Sequence, residues 1–329
     1  MKKSPIAILT ALVVSIMAVT SCGNYSEKKA YTSGSTTIAV DATFLNVIQQ
    51  EIGVFEYRYP NTSILDRDTT ESGAIDLLLD GTVKMALTTR ELDKKEIAFL
   101  RNTKKLPVSQ QAIAIDAIAL IVNPENPLKE IDYEDIKAIL GGEIKSWDKI
   151  VPGAPKLGNI SVVYDGNGSS TIRYMRDSVL DGRNLDLEVN GAVKSPDEVF
   201  KRVASDRNSI GVIGVSWITS NMKGREMTKE EFSKHLDSDQ DTTVTDFNPD
   251  IRVLAVKPKG KLRAYLPYQL NIYNGDYPFT RNVYLISTSV PHTVGHSFYS
   301  FVTSAVGQKI ILTTGVCPKL INAQFVSLE

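Results

Sequence analysis
The chain has 329 residues, and its 37 Lys and Arg stand against 38 Asp and Glu. The resulting net charge of −1 gives no general attraction for nucleic acid or anionic lipid, so any anion chemistry has to be local. A content of 42% hydrophobic and 23% charged residues excludes a disordered or fibrous chain, and the length suits two lobes of ordinary domain size. With only two cysteines, Cys22 and Cys317, the fold has to stand on its core and not on a disulfide framework.

At the N-terminus, Lys2 and Lys3 precede an apolar run from Ile6 to Val19 and then Thr20-Ser21-Cys22, the charged, apolar and small-residue order of a secretory signal. That run is shorter than the ~18 residues of a spanning helix, so export followed by cleavage is expected over residues 1–22. Val19-Thr20-Ser21-Cys22 resembles the lipobox of bacterial lipoproteins, in which the cysteine is acylated and becomes the mature N-terminus. The resemblance implies a lipid on Cys22 and attachment to a membrane of the cell envelope. Residues 23–35, rich in Lys, Ser, Gly and Thr, read as a flexible tether.

Beyond it, short β-branched runs alternate with amphipathic helical stretches, the pattern of an α/β protein with mostly parallel sheets. A strand is predicted over Thr36–Val40. Phe44, Val47, Ile48, Ile52 and Phe55 follow at helical spacing and stop before Tyr59-Pro60. A helix from Gly73 through Leu79 leads to a strand over Val83–Leu87, and Asp93-Lys94-Lys95-Glu96 has the spacing of a capping box. Ala112–Val122, nearly all apolar, reads as a strand buried on both faces, and the chain is expected to cross between lobes there. Asp132 announces a helix that ends at Gly141-Gly142. A strand over Ile160–Tyr164, a loop over Asp165–Thr171 and a helix through Leu180 come next. Ser195-Pro196-Asp197-Glu198 has capping-box spacing, and Ile210–Val215 is a strand. Met222–Pro249, polar and acidic, reads as an irregular surface excursion. Ile251–Val256 and Asn282–Ser287 are late strands, and one final helix is ended by Gly315. The lobes would comprise residues 36–115 with 251–329, and residues 116–250.

Three strand-to-helix junctions are rich in hydroxyls: Ala42-Thr43-Phe44, Glu71-Ser72-Gly73-Ala74 and Gly168-Ser169-Ser170-Thr171. The first turn of a helix offers unpaired N–H groups, so three such turns converging from different lobes would enclose one oxyanion. Any one alone is explained by capping. Other chemistries lack their residues. Gly166-Asn167-Gly168 has no third glycine of a dinucleotide loop, and no Gly-x-Ser-x-Gly elbow is present. His292 and His296 have no third metal ligand beside them, Cys317 lacks an activating setting, and Trp147 and Trp217 follow apolar runs as core residues do. No cofactor, metal or catalytic group is expected.

From about Thr36 to Leu320 the chain resembles the phosphate-binding receptors of bacterial phosphate ABC transporters, the PstS-like group of the two-lobed periplasmic binding proteins. The resemblance is carried by Ala42-Thr43-Phe44, Ser72-Gly73, Asp116 to Pro124, Ile139-Leu140-Gly141-Gly142 with Trp147, Ser169-Ser170-Thr171, Ile210 to Val215, and Tyr277-Pro278-Phe279-Thr280-Arg281. It implies the type II periplasmic-binding fold, two α/β lobes joined by hinge strands. It also implies capture of inorganic phosphate between them, without turnover, and presentation to an ABC permease. Thr43 and the backbone beside Phe44 would line the first binding loop, Ser72 the second, and Ser169, Ser170 and Thr171 the third, where Ser170 replaces the usual glycine.

Two positions depart from that pattern. Asp165 stands where the third loop usually begins with an arginine, and Thr89, followed by Arg90, stands at the usual acceptor carboxylate. Arg90 would then bring positive charge from the opposite lobe while Asp165 accepts the ligand's proton, a charge swap. The other reading of the two residues is a structural ion pair across closed lobes. Two alternatives to phosphate transport stay open: another small oxyanion or acidic solute on the same scaffold, or an accessory lipoprotein that binds a protein partner.

Overall fold
The computed structural model describes residues 32–151, 157–219, 227–237 and 247–321. The expected signal, Cys22 and most of the expected tether lie outside the described residues. The strands are β1 (Ser33–Asp41), β2 (Asn61–Thr69), β3 (Met85–Thr88), β4 (Ser109–Val122), β5 (Glu130–Asp132), β6 (Ser161–Tyr164), β7 (Asn190–Ala192), β8 (Ser209–Gly214), β9 (Arg252–Val253), β10 (Ala255–Lys257), β11 (Thr280–Ser287) and β12 (Cys317–Pro318).

Ten of them build two sheets on one shared strand, and β5 and β10 pair separately. In the order β2-β1-β3-β11-β4-β8-β6-β7, residues 109–117 of β4 pair with β11 in the first lobe, and residues 118–122 pair with β8 in the second. The long apolar run that reads as a doubly buried strand is therefore the element that carries the chain from lobe to lobe, and Ala117–Val122 are all essentially buried. β1 lies parallel to β2 and β3, and β6 is parallel to β7 and β8. β11 is antiparallel to both neighbours, and β4 is antiparallel to β8. The sheets are thus mixed, because the returning β11 runs back along the strand by which the chain left.

Several local expectations change. β1 begins at Ser33, inside the expected tether, and pairs with β2, a strand absent from the sequence reading. β2 is an edge strand whose polar residues outnumber its buried ones, Thr62 and Ile64, so little alternation marks it. The box at Asp93 forms, with Asp93 accepting the N–H groups of Lys95 and Glu96. The one at Ser195 does not: Glu198 reaches back to the N–H of Lys194, and Ser195 caps nothing.

The supposedly irregular excursion contains the helix Lys229–Leu236. It is started by a true capping box at Thr228 and Glu231 and anchored by buried Phe232 and Leu236 against the helix Leu45–Arg58. The single final helix is two, Val294–Val302 and Ala305–Thr313, because Ser304 caps a new start by accepting the Gly307 N–H. A side chain at Gly307 would meet the carbonyl oxygens of Phe301 and Val302 at 2.5 Å, so the two helices join in a turn only glycine fits. Strand β9 still pairs with β4 in the second lobe, and β10 after it pairs with β5.

Candidate interlobe site
Two loops meet between the lobes. The first follows β1: Asp41 ends the strand, and its carboxylate accepts the Thr43 N–H at 3.1 Å, folding Ala42–Phe44 into a short 3-10 turn. The second follows β6: Asp165 to Gly168 lead to Ser169, which accepts the Ile172 N–H and so starts the helix Ser170–Tyr174. Gly168 turns at φ +77°, and an added Cβ there would press on Thr70 of the first lobe at 3.3 Å.

Across the cleft the contacts are direct. The Thr43 hydroxyl donates to Asp165 Oδ2 at 2.9 Å, and the Thr171 hydroxyl donates to the same oxygen at 3.3 Å. The Ser170 N–H donates to Asp41 Oδ2 at 2.9 Å. Asp165 is 2% exposed, yet its other oxygen, Oδ1, has no hydrogen-bond partner. Burial, and then the neighbouring Asp41 carboxylate, push the Asp165 carboxyl up to about 6, against the pull of the Thr43 hydroxyl, Arg281 and Ser169.

The positive charge comes from Arg281. This β11 residue is in register with Asp116 of β4, and its Nε donates to Asp116 Oδ2 at 2.9 Å. One terminal nitrogen donates to the Ser170 hydroxyl at 3.0 Å, the other reaches the Thr171 hydroxyl at 3.5 Å, and the guanidinium lies 5.1 Å from the Phe44 ring centre. Asp116 is fully buried. Burial raises its carboxyl above the ordinary value, although Arg281 opposes the shift.

A second cross-lobe contact lies alongside. Glu71, buried at the start of the helix Glu71–Asp80, accepts the Thr89 N–H at 2.6 Å and its hydroxyl at 2.7 Å, and pairs with Arg173 of the second lobe. Arg173 also donates to the Thr89 hydroxyl at 2.7 Å. Burial works to raise the Glu71 carboxyl, but Arg173 and Thr89 together hold it below its ordinary range.

Of the residues chosen from sequence, Thr43, Phe44, Asp165, Ser169, Ser170 and Thr171 come together. Arg90 does not. Its guanidinium forks onto Glu96 at 2.7 and 2.8 Å and bonds the Glu91 carbonyl, so neither the charge swap nor an Arg90–Asp165 pair exists. Glu96, six residues on and partly solvated, provides a bidentate partner without the desolvation that a buried cleft would impose. Thr89 serves the Glu71–Arg173 pair, and Ser72 is exposed, its hydroxyl 3.2 Å from that of Thr70, which is the actual helix cap. Asp41, Asp116, Glu71, Arg173 and Arg281 were missed. The lone Asp116 inside Ala-Ile-Ala-Ile-Asp-Ala-Ile was the available signal, since a charge in a doubly buried strand needs a partner.

A groove of about 400 Å³ opens over this cluster, lined among others by Asp41, Thr70, Asp165, Asn167, Ser169 and Lys194. Among the described residues no three His, Cys, Asp or Glu side chains gather as a metal ion would require.

The family model for the PBP superfamily domain matches residues 26–306. The chain belongs to that family. It is similar to the phosphate-binding protein PstS of Pseudomonas aeruginosa, 20% identical over 89% of this chain and 85% of the relative, and to that of Borreliella burgdorferi, 23% identical over 94% and 96%. Among solved structures, a putative phosphate ABC transporter substrate-binding protein with bound phosphate from Clostridium perfringens superposes with a TM-score of 0.65. It is 21% identical and covers 87% of this chain and 100% of its own. An ABC-type phosphate transport receptor from Vibrio cholerae gives 0.59 at 19% identity with the same coverage. The two-lobed binding-protein fold is thus shared, and the cluster described above lies between the lobes of this family member.

Because Arg281 compensates a wholly buried carboxylate, Arg281→Met should lower unfolding stability by about 3–5 kcal/mol, whereas Arg90→Ala at its half-exposed pair should cost less than about 1 kcal/mol. Urea unfolding of both variants checks this; equal losses would contradict the assignment.

Proposed function
We propose that this binding protein captures phosphate in the interlobe cleft and presents it to an ABC permease, held at a membrane by a lipid on Cys22. The observation that carries the reading is Asp165, a groove-lining residue whose buried Oδ1 has no hydrogen-bond partner while its Oδ2 accepts from the Thr43 and Thr171 hydroxyls, the latter also reached by Arg281. A buried acceptor left unpaired is costly, and phosphate near neutral pH keeps a proton that satisfies it. Sulfate, with no proton to give, meets only repulsion from that oxygen, which is discrimination by an unfavourable contact. The relatives' names point the same way: the similar proteins from Pseudomonas aeruginosa and Borreliella burgdorferi are phosphate-binding proteins. Capture without turnover is part of this proposal, in keeping with relatives that are named as binding proteins.

Calorimetry with phosphate and sulfate tests the reading. The protein should bind phosphate saturably in the micromolar range. In Asp165→Asn the repelling charge becomes a neutral amide that donates, so the phosphate-to-sulfate affinity ratio should fall by about tenfold or more, or ~1.4 kcal/mol. An unaltered ratio would remove Asp165 from the site, and silence toward phosphate would remove the function. For the anchor, the motive is Cys22 at the end of a signal-like leader. Cys22→Ser should shift the protein from the membrane to the soluble fraction, and unchanged partition would refute lipidation.

A further inference from the structure
Asp41 raises a question that the capture reading leaves open. It is completely buried, and both carboxylate oxygens are engaged: Oδ1 accepts the Thr43 N–H and Oδ2 the Ser170 N–H. These amides belong to different lobes, and the hydroxyls of Thr43 and of Thr171, next to Ser170, converge on Asp165. One carboxylate bridging two N–H groups across the cleft makes two charge-assisted bonds of the kind that two oxygens of a tetrahedral oxyanion would make.

We propose that Asp41 is a built-in surrogate ligand, whose carboxylate occupies the cleft's two backbone amides so that an incoming oxyanion has to displace it. The displacement half rests on the phosphate reading; the occupation of the amides does not.

Two opposing effects decide the sign of a substitution. Asp41 ties the lobes together, which favours a closed site, but it also blocks donors and places a negative charge where the anion would sit. The tie is one of several, since Thr43 to Asp165 and Glu71 to Arg173 bridge the same lobes. The block is not duplicated, because each amide has a single proton to give. Removing the carboxylate therefore frees both donors and relieves repulsion while most of the closure remains.

The test compares the full chain with Asp41→Ala and Asp41→Asn. Calorimetric titration with inorganic phosphate should give affinity at least tenfold tighter in Asp41→Ala, with Asp41→Asn in between. Hydrogen exchange at the Ser170 amide, without added anion, should be at least tenfold faster in Asp41→Ala than in the unaltered chain. Phosphate affinity equal or weaker in Asp41→Ala overturns the proposal, as does a Ser170 amide equally protected in both. If circular dichroism shows that Asp41→Ala does not fold, Asp41→Asn, which keeps an oxygen for Thr43, is held to the same two criteria. Should none of the three bind phosphate, the phosphate reading falls, and the surrogate is judged on exchange alone, where no acceleration refutes it.

Discussion
The pair formed by Arg281 and Asp116 is the constraint on which the arrangement between the lobes depends. Asp116 sits near the point where β4 passes from one sheet to the other, and Arg281 is its register partner on the returning strand. A buried carboxylate there demands a cation, and once that cation is present its remaining N–H groups need acceptors as well. Ser170 and Thr171 of the second lobe supply them, and the Phe44 ring of the first covers the guanidinium. One ion pair in the hinge region thus fixes loops from both lobes at once, and it places the Thr171 hydroxyl where it meets Asp165.

From that anchor the character of the cleft follows. Asp41, Asp116, Asp165 and Glu71 are all buried between or beside the lobes, and each finds hydroxyl, amide or guanidinium donors. The carboxylates meet donors that a bound anion would also use, so the lobes are drawn together by the chain's own charges. Under the proposed reading, selectivity in such a site would come less from attraction than from what the unpaired oxygen of Asp165 tolerates.

Much of this was legible in the sequence, and what was not has identifiable causes. β4 and the helix Tyr133–Leu140 announce themselves because burial on both faces, or on one helical face, leaves an unbroken pattern. The hydroxyl-rich junctions at Thr43 and Ser169–Thr171 were readable as helix starts, and their convergence followed from the family resemblance. β2 escaped because an edge strand buries few side chains, and the helix Lys229–Leu236 because only Phe232, Ser233 and Leu236 of its residues are buried. Arg90 was misplaced for a different reason. Sequence order puts it beside the cleft, but its partner is decided by Glu96, whose place in the capping box makes it the nearer and less costly choice. Conversely, Arg281 lies 165 residues from Asp116, a separation across which no spacing rule operates.

The central claim is that a small oxyanion binds among Thr43, Asp165, Ser170, Thr171 and Arg281. A crystal structure of the protein grown with phosphate tests it most directly. The account predicts a tetrahedral anion within hydrogen-bond distance of the Thr43 and Thr171 hydroxyls and of Asp165 Oδ1, with the Arg281–Asp116 pair intact. An anion bound elsewhere, or a cleft in which Asp165 Oδ1 meets only protein atoms at saturating phosphate, would contradict it.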